Sequence, residues 1–180
     1  MLRTERLILR PWTDADLAPF AELNADPIVV RHLPGVLTRA QSDTFAEGIR
    51  TRMARDAGMG LWAVEVVGGA PFIGFVGLSH VEFAAPFAPA TEIGWRIASA
   101  HHNLGYATEG ARAALDYAFS QRGLPEVVSF TVVDNAPSRR VMEKLGMHRD
   151  PAEDFDHPKL PDGHPLQRHV LYRLSAGEPR

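Results

Sequence analysis

The sequence predicts a mixed α/β fold, a single sheet with helices on its faces. Strand-length runs of β-branched and aromatic residues alternate along the chain with stretches of helical period. Two apolar runs in the middle are joined by Gly68-Gly69, the pattern of an antiparallel hairpin. At 180 residues the length suits one domain, and no repeat or low-complexity tract divides it.

The elements follow in order. Arg6 to Arg10 is a short apolar strand stopped by Pro11. Thr13 caps a first helix, with Asp14 and Asp16 beside the positive end of its dipole and Asp26-Pro27 at its close. Thr38 opens a second helix, in which Phe45, Ile49 and Met53 recur at four-residue spacing. Leu61 to Val67 and Phe72 to Leu78 form the hairpin, and Thr91 to Ala98 is a further strand. Tyr106 to Gln121 is a third helix with one apolar face. Glu126 to Val133 is a strand, Ala136 to Leu145 a fourth helix stopped by Gly146, and His169 to Leu174 a last strand. Residues 175–180 are expected to be a flexible tail.

Composition narrows the function classes. The chain is 45% hydrophobic and 23% charged, ordinary for a folded globular protein. Its net charge of -3 lacks the basic excess of a non-specific nucleic-acid binder, so no nucleic-acid partner is expected. The absence of cysteine excludes disulfides, thiolate metal sites and a cysteine nucleophile. No run of about eighteen apolar residues and no signal-like start is present. A cytoplasmic protein without a membrane partner is therefore expected.

The most informative segment is His101 to Gly110, which a strand enters and an amphipathic helix leaves. The first turn of a helix offers unpaired N–H groups and a positive dipole end, a ready site for a diphosphate. Gly105 lets an anion approach the main chain. A plain strand-to-helix turn, with Gly105 meeting only a backbone need, explains the same residues. Neither a G-x-G-x-x-G nor a G-x-x-x-x-G-K-[ST] pattern is present, which disfavours the usual dinucleotide and triphosphate sites.

His102 to Phe119 resembles motif A of the GCN5-related N-acetyltransferases (GNAT), roughly [QR]-x-x-G-x-[GA]. His102 stands at the Gln/Arg position, Gly105 at the glycine and Ala107 at the small residue. Thr4 to Asp16 (TERLILRPWTDAD) and Asn135 to Met147 (NAPSRRVMEKLGM) resemble signatures of its ribosomal-protein-alanine acetyltransferase-like subgroup. The resemblance runs from about Thr4 to Leu174. Asn103 replaces a frequent glycine, and Met142 stands where many members carry a tyrosine.

The resemblance implies the GNAT fold, a mostly antiparallel mixed sheet in which the parallel strands Thr91–Ala98 and Glu126–Val133 splay apart. It implies transfer from acetyl-CoA to an amine, either a protein N-terminus or a small molecule. The diphosphate would sit on the amides of Leu104, Gly105, Tyr106, Ala107 and Thr108, in the loop that also holds Asn103. The pantetheine arm would pair with main-chain groups of Trp95 and Ile97. Asn135 would cap a helix or bond that arm. No metal is implied. The alternative is a CoA-binding module of the same fold that has lost catalysis. The oligomeric state stays open, a homodimer included.

Two residues are candidates for catalysis. Glu92 opens the strand beside the expected thioester and shares a strand face with Gly94 and Arg96. It is read as the general base, against a surface pair with Arg96. Ser138, in the N-x-x-S of Asn135 to Ser138, is read as the group that helps the thiolate leave, against simple support of the helix start. Tyr172 or water are the other candidates for that role. Arg139, Arg140 and Lys144 suit either the adenosine 3′-phosphate or an exposed basic face. The Asp- and His-rich run Asp154 to His169 is read as a substrate-contacting loop rather than a metal site.

Overall fold

Leu7 and Leu9 are fully buried while Ile8 and Arg10 are partly exposed, the two-residue alternation of a strand with one face on a core. In the computed structural model, which describes residues 1–178, this segment belongs to a single eight-stranded sheet. The strands are β1 (Leu2–Arg3), β2 (Leu7–Arg10), β3 (Leu61–Val66), β4 (Gly74–His80), β5 (Thr91–Ile97), β6 (Glu126–Val132), β7 (Phe155–Asp156) and β8 (Arg168–Ser175). Their spatial order is β1-β2-β3-β4-β5-β6-β8-β7, and among the described residues only the neighbours β5 and β6 pair in parallel. The helices are α1 (Leu17–Ala25), α2 (Arg39–Arg55), α3 (Tyr106–Ser120) and α4 (Ala136–Lys144).

Adjacent residues of β4 point to opposite faces and show how the layers stack. Phe75 meets Phe20 of α1 and Phe45 of α2, with ring centroids 6.1 Å away in both cases. Val76, on the other face, lies under α3 at Gly110, where an added Cβ would come within 3.2 Å of it. Gly110 therefore sets how closely α3 approaches the sheet. Thr38 caps α2 through a box with Gln41, as its position before a helical period predicts. Asp16 does more than meet a dipole. It accepts from the Thr13 amide at 2.7 Å and takes both Nη groups of Arg10 at 2.8 Å, binding the start of α1 to β2.

The structure departs from the sequence reading at one strand start, at two short strands and at the tail. β4 starts at Gly74 rather than Phe72: Phe72 is apolar because it packs into the core against Trp12, while Ile73 is buried and bonds through its main chain to Val64 and Ala98 just ahead of the strand. The two-residue strands β1 and β7 are too short to leave a periodic signal. The expected tail from Ser175 is corrected in part. Ser175 is the last residue of β8, and the Ala176 amide donates to the Pro125 carbonyl at 2.8 Å. Residues Pro179 and Arg180 of that expected tail lie outside the described residues.

The β3–β4 contact is unusually close at Gly77, where an added Cβ would fall 2.0 Å from the Gly60 carbonyl oxygen. Gly77→Ala is expected to force these backbones apart and to destabilise the fold by about 3 kcal/mol. Urea unfolding reads this, and an unchanged midpoint would show that the strands can separate freely.

Candidate active site

Gly105 is the N-cap of α3 in the left-handed region, at φ 82°. Asn103 is also left-handed, at φ 61°. Asparagine tolerates that conformation better than most residues, so Asn103 can hold a left-handed φ that a glycine would adopt freely. The first helical bond of α3 runs from the Glu109 amide to the Gly105 carbonyl. The amides of Asn103 through Thr108 have no acceptor among the described residues. They form a row of free donors at the positive end of a fifteen-residue helix.

An ion pair from the start of the chain holds this turn. Arg6 donates through Nε to Glu109 at 2.6 Å and through Nη1 to the Leu104 carbonyl at 3.0 Å. Its guanidinium lies 4.8 Å from the centre of the Tyr106 ring. Thr4 adds a 2.6 Å bond from its hydroxyl to Glu109. The Leu104 side chain is exposed and stands apart from the cleft, so this residue offers the site its amide alone.

The turn opens into a cleft of about 1400 Å³ that passes between β5 and β6. These strands are in register only at Glu92 and Val128. The Ser129 hydroxyl donates to the Ile93 carbonyl at 2.8 Å, and beyond that point the strands diverge. Alternation along β5 turns the main-chain groups of residues 93, 95 and 97 to the side of β6. The His102 ring holds the Ile97 carbonyl at 2.8 Å. Trp95 and Ile97 both line the cleft, as do Asn103, Gly105, Tyr106, Ala107 and Thr108. Asn135 and Ser138 line it from the end of β6 and the start of α4.

Glu92 is partly buried in the wall of this cleft. Removal from water pushes its carboxyl up to about 7, against the pull of the Lys159 charge and of a hydrogen bond from Ser79. The surface pair with Arg96, the alternative to a base, does not form among the described residues. Arg96 turns instead to Asn24 of α1, donating from Nη1 to Oδ1 at 2.5 Å. The strand alternation that puts both residues on one face leaves them too far apart to meet while Arg96 is held by α1.

Asn135 caps α4 by accepting from the Ser138 amide at 3.3 Å, and its own amide donates to Thr131 at 2.8 Å. The Ser138 hydroxyl has no partner among the described residues and faces the cleft. Met142 is buried. Tyr172 is buried away from the cleft, where its hydroxyl accepts from Arg139 at 3.3 Å. Arg140 and Lys144 line the cleft, while Arg139 is drawn off to Tyr172 and the Val133 carbonyl.

The far wall draws on the Asp154 to His169 run, read from the sequence as a substrate-contacting loop, and on Phe83 and Phe130, which the sequence reading did not single out. Phe83, Phe130, His157 and Lys159 line the cleft there. They stand beside a second small core formed by Val128, Phe155 and Leu171. Burial lowers the pKa of both His157 and His169, which favours neutral rings at neutral pH. No group of three or more His, Asp or Glu able to hold a metal occurs among the described residues. On the α1–α2 side the wall includes Pro27, Phe45 and Arg52. Asp26 accepts from the Ser99 hydroxyl, tying the end of α1 to the segment that leads into the Gly105 turn.

Known proteins share this architecture. The profile of the acetyltransferase (GNAT) domain family matches residues 6–148. An uncharacterised N-acetyltransferase of Bacillus subtilis, YnaD, is 30% identical over 179 residues, 98% of each chain. The structure of a GNAT-family acetyltransferase from Bacillus anthracis superposes with a TM-score of 0.81 at 28% identity, over 98% of this chain and 99% of the other. Mycobacterium smegmatis RimJ in complex with CoA-disulfide shares the fold, with a TM-score of 0.71 at 21% identity over 94% and 82% of the two chains. A parallel strand pair that parts above a row of free amides, together with these matches, identifies the chain as an N-acetyltransferase that belongs to the GNAT family.

Proposed function

We propose that the chain moves an acetyl group from acetyl-CoA directly to a primary amine while both substrates are bound. One observation carries this reading: the free amides, the parted strands and a carboxyl of raised pKa all open into one cleft. The residues fit the cosubstrate. Amides of Asn103 to Thr108 would bind its diphosphate, with no side chain at Gly105 in the way. Main-chain groups of Trp95 and the Ile97 amide would align its arm as an added strand. The Ile97 carbonyl is already taken by His102, so Trp95 is the stronger partner.

Acetyl-CoA supplies, when bound, a thioester whose carbonyl carbon is open to a neutral amine. Glu92 would take the proton of the arriving ammonium. A carboxylate titrating near 7 is a better base than an ordinary glutamate. It is well matched to an α-amine, which titrates near ~8, and poorly to a lysine near ~10.4. A protein N-terminus or a small α-amine is thus the favoured acceptor. The Ser138 hydroxyl would donate to the departing sulfur. Without cysteine, no acyl-cysteine can form.

Thiol release from acetyl-CoA across α-amine peptides, lysine peptides, polyamines and amino-sugars tests the reading. CoA binding without thiol release from any of them would favour the inactive-module alternative. Intersecting initial-rate patterns are expected, and parallel ones would argue against a ternary complex. Ser138→Ala is expected to lower kcat about 10- to 100-fold, with CoA affinity little changed. The cap of α4 uses the Ser138 amide rather than its hydroxyl, so the melting temperature should hold. Unchanged kcat would remove Ser138 from the chemistry.

A further inference from the structure

Arg96 is a cation with no anion among the described residues. It stands on the same face of β5 as Glu92 and Gly94, two residues or about 7 Å from Gly94. Its guanidinium lies 5.3 Å from the Phe45 ring centre and 5.6 Å from that of Phe75. Nη1 donates to Asn24, which is itself fully buried and held through Nδ2 by Ser42 at 2.9 Å. Three elements thus fix the plane of the guanidinium. No carboxylate pairs with it among the described residues. Nε and Nη2 have no partner among them either, yet they are not sealed off, and the residue lines the cleft.

Burial lowers its pKa to about 10, so it remains charged at neutral pH. An unpaired buried charge is expensive, and an apolar residue would fill the space between two phenylalanines at less cost. Asn24 satisfies one donor and leaves the Nε–Nη2 edge free. That edge is the side of a guanidinium that grips a carboxylate with two parallel bonds. Arg31, His32 and Arg52 line the same side of the cleft, and neither Arg31 nor Arg52 has an ion pair among the described residues.

We propose that the acceptor amine carries a carboxylate a few bonds from its nitrogen, and that Arg96 receives this group. The inference rests on the acetyl-transfer reading above and specifies its second substrate. The amine would lie between Glu92 and the parted strands, and the carboxylate would lie toward α1 and α2.

The test compares kcat/KM for matched acceptors at one pH: glycine with glycinamide, β-alanine with its amide, and a peptide opening in Asp with one opening in Asn. The carboxylate-to-amide ratio is measured in the wild type and in Arg96→Met. Amine pKa cancels when the two proteins are compared. The ratio is expected to fall about tenfold or more in Arg96→Met, and to recover partly in Arg96→Lys, which keeps the charge without the fork. A fall seen with free amino acids or with peptides names the source of the carboxylate. Equal ratios in all three proteins would overturn the proposal and leave acetyl transfer standing.

A binding measurement separates the two readings. Calorimetry of N-acetyl-β-alanine and its amide, with CoA-loaded wild type, is expected to show about tenfold preference for the acid. It requires neither turnover nor a folded variant. Equal binding overturns the carboxylate assignment. Preference for the acid without acetylation of any amine would instead bring down the proposed function.

Discussion

Gly105→Glu is expected to weaken CoA binding at least about a hundredfold. Two effects add. The residue sits at φ 82°, where any side chain costs about 1–2 kcal/mol. The new carboxylate would also stand among the amides offered to a diphosphate, placing like charge on like. Gly105→Ala separates the two. Its Cβ would meet only the end of the Arg6 side chain, at 3.4 Å, so it tests the backbone cost alone and should lose about tenfold or less. The excess loss in the glutamate variant should shrink as salt rises, since repulsion at an exposed turn is screened. Calorimetry with CoA measures both variants. A folded Gly105→Glu protein of unchanged affinity would remove this turn from cosubstrate binding.

Glu92→Gln should lower kcat/KM about a hundredfold for an α-amine acceptor. Wild-type kcat/KM should rise with pH through about 7 as the carboxyl ionises, then bend again at the acceptor's own pKa. The variant should keep only the second bend. The loss is therefore largest between about 7 and the acceptor's pKa, where the base is ionised and the amine is still protonated. Stability should move the other way. The folded-state pKa of about 7 exceeds the ordinary 4.5, so ionisation costs the fold stability as pH rises from 4.5 through 7. Above pH 7 the glutamine variant should melt higher than wild type, and below about 4.5 the two should coincide. A variant with the same pH profile as wild type would leave Glu92 without a role as base.

Much of this architecture can be read from residue order. Local devices such as the Thr38 cap, the Gly68 turn and the Gly105 turn need only neighbours in sequence, and each leaves a local mark. The parting of β5 from β6 leaves none, because both segments read as ordinary strands; it came from family likeness. Phe72 shows the limit of hydrophobic pattern, which reports burial rather than pairing. The partner of Arg96 is hidden for a related reason. Glu92 is near in sequence, but Asn24 lies 72 positions away and reaches Arg96 only because α1 crosses that face. Lys159 acts on Glu92 from a loop whose path no periodicity describes. Sites assembled from distant segments follow packing, which a linear pattern does not encode.

The bond from Arg6 to the Leu104 carbonyl spans 98 positions and joins the chain's opening to the Gly105 turn. Trimming the leading residues, or crowding them with a bulky fusion, would therefore loosen a grip formed in the middle of the sequence. The span 6–148 shared with the family profile omits Thr4, Lys159 and the whole of β8. Cut to that span, the protein would keep its signature and lose a brace on the loop, a charge beside its proposed base and the strand that covers β6.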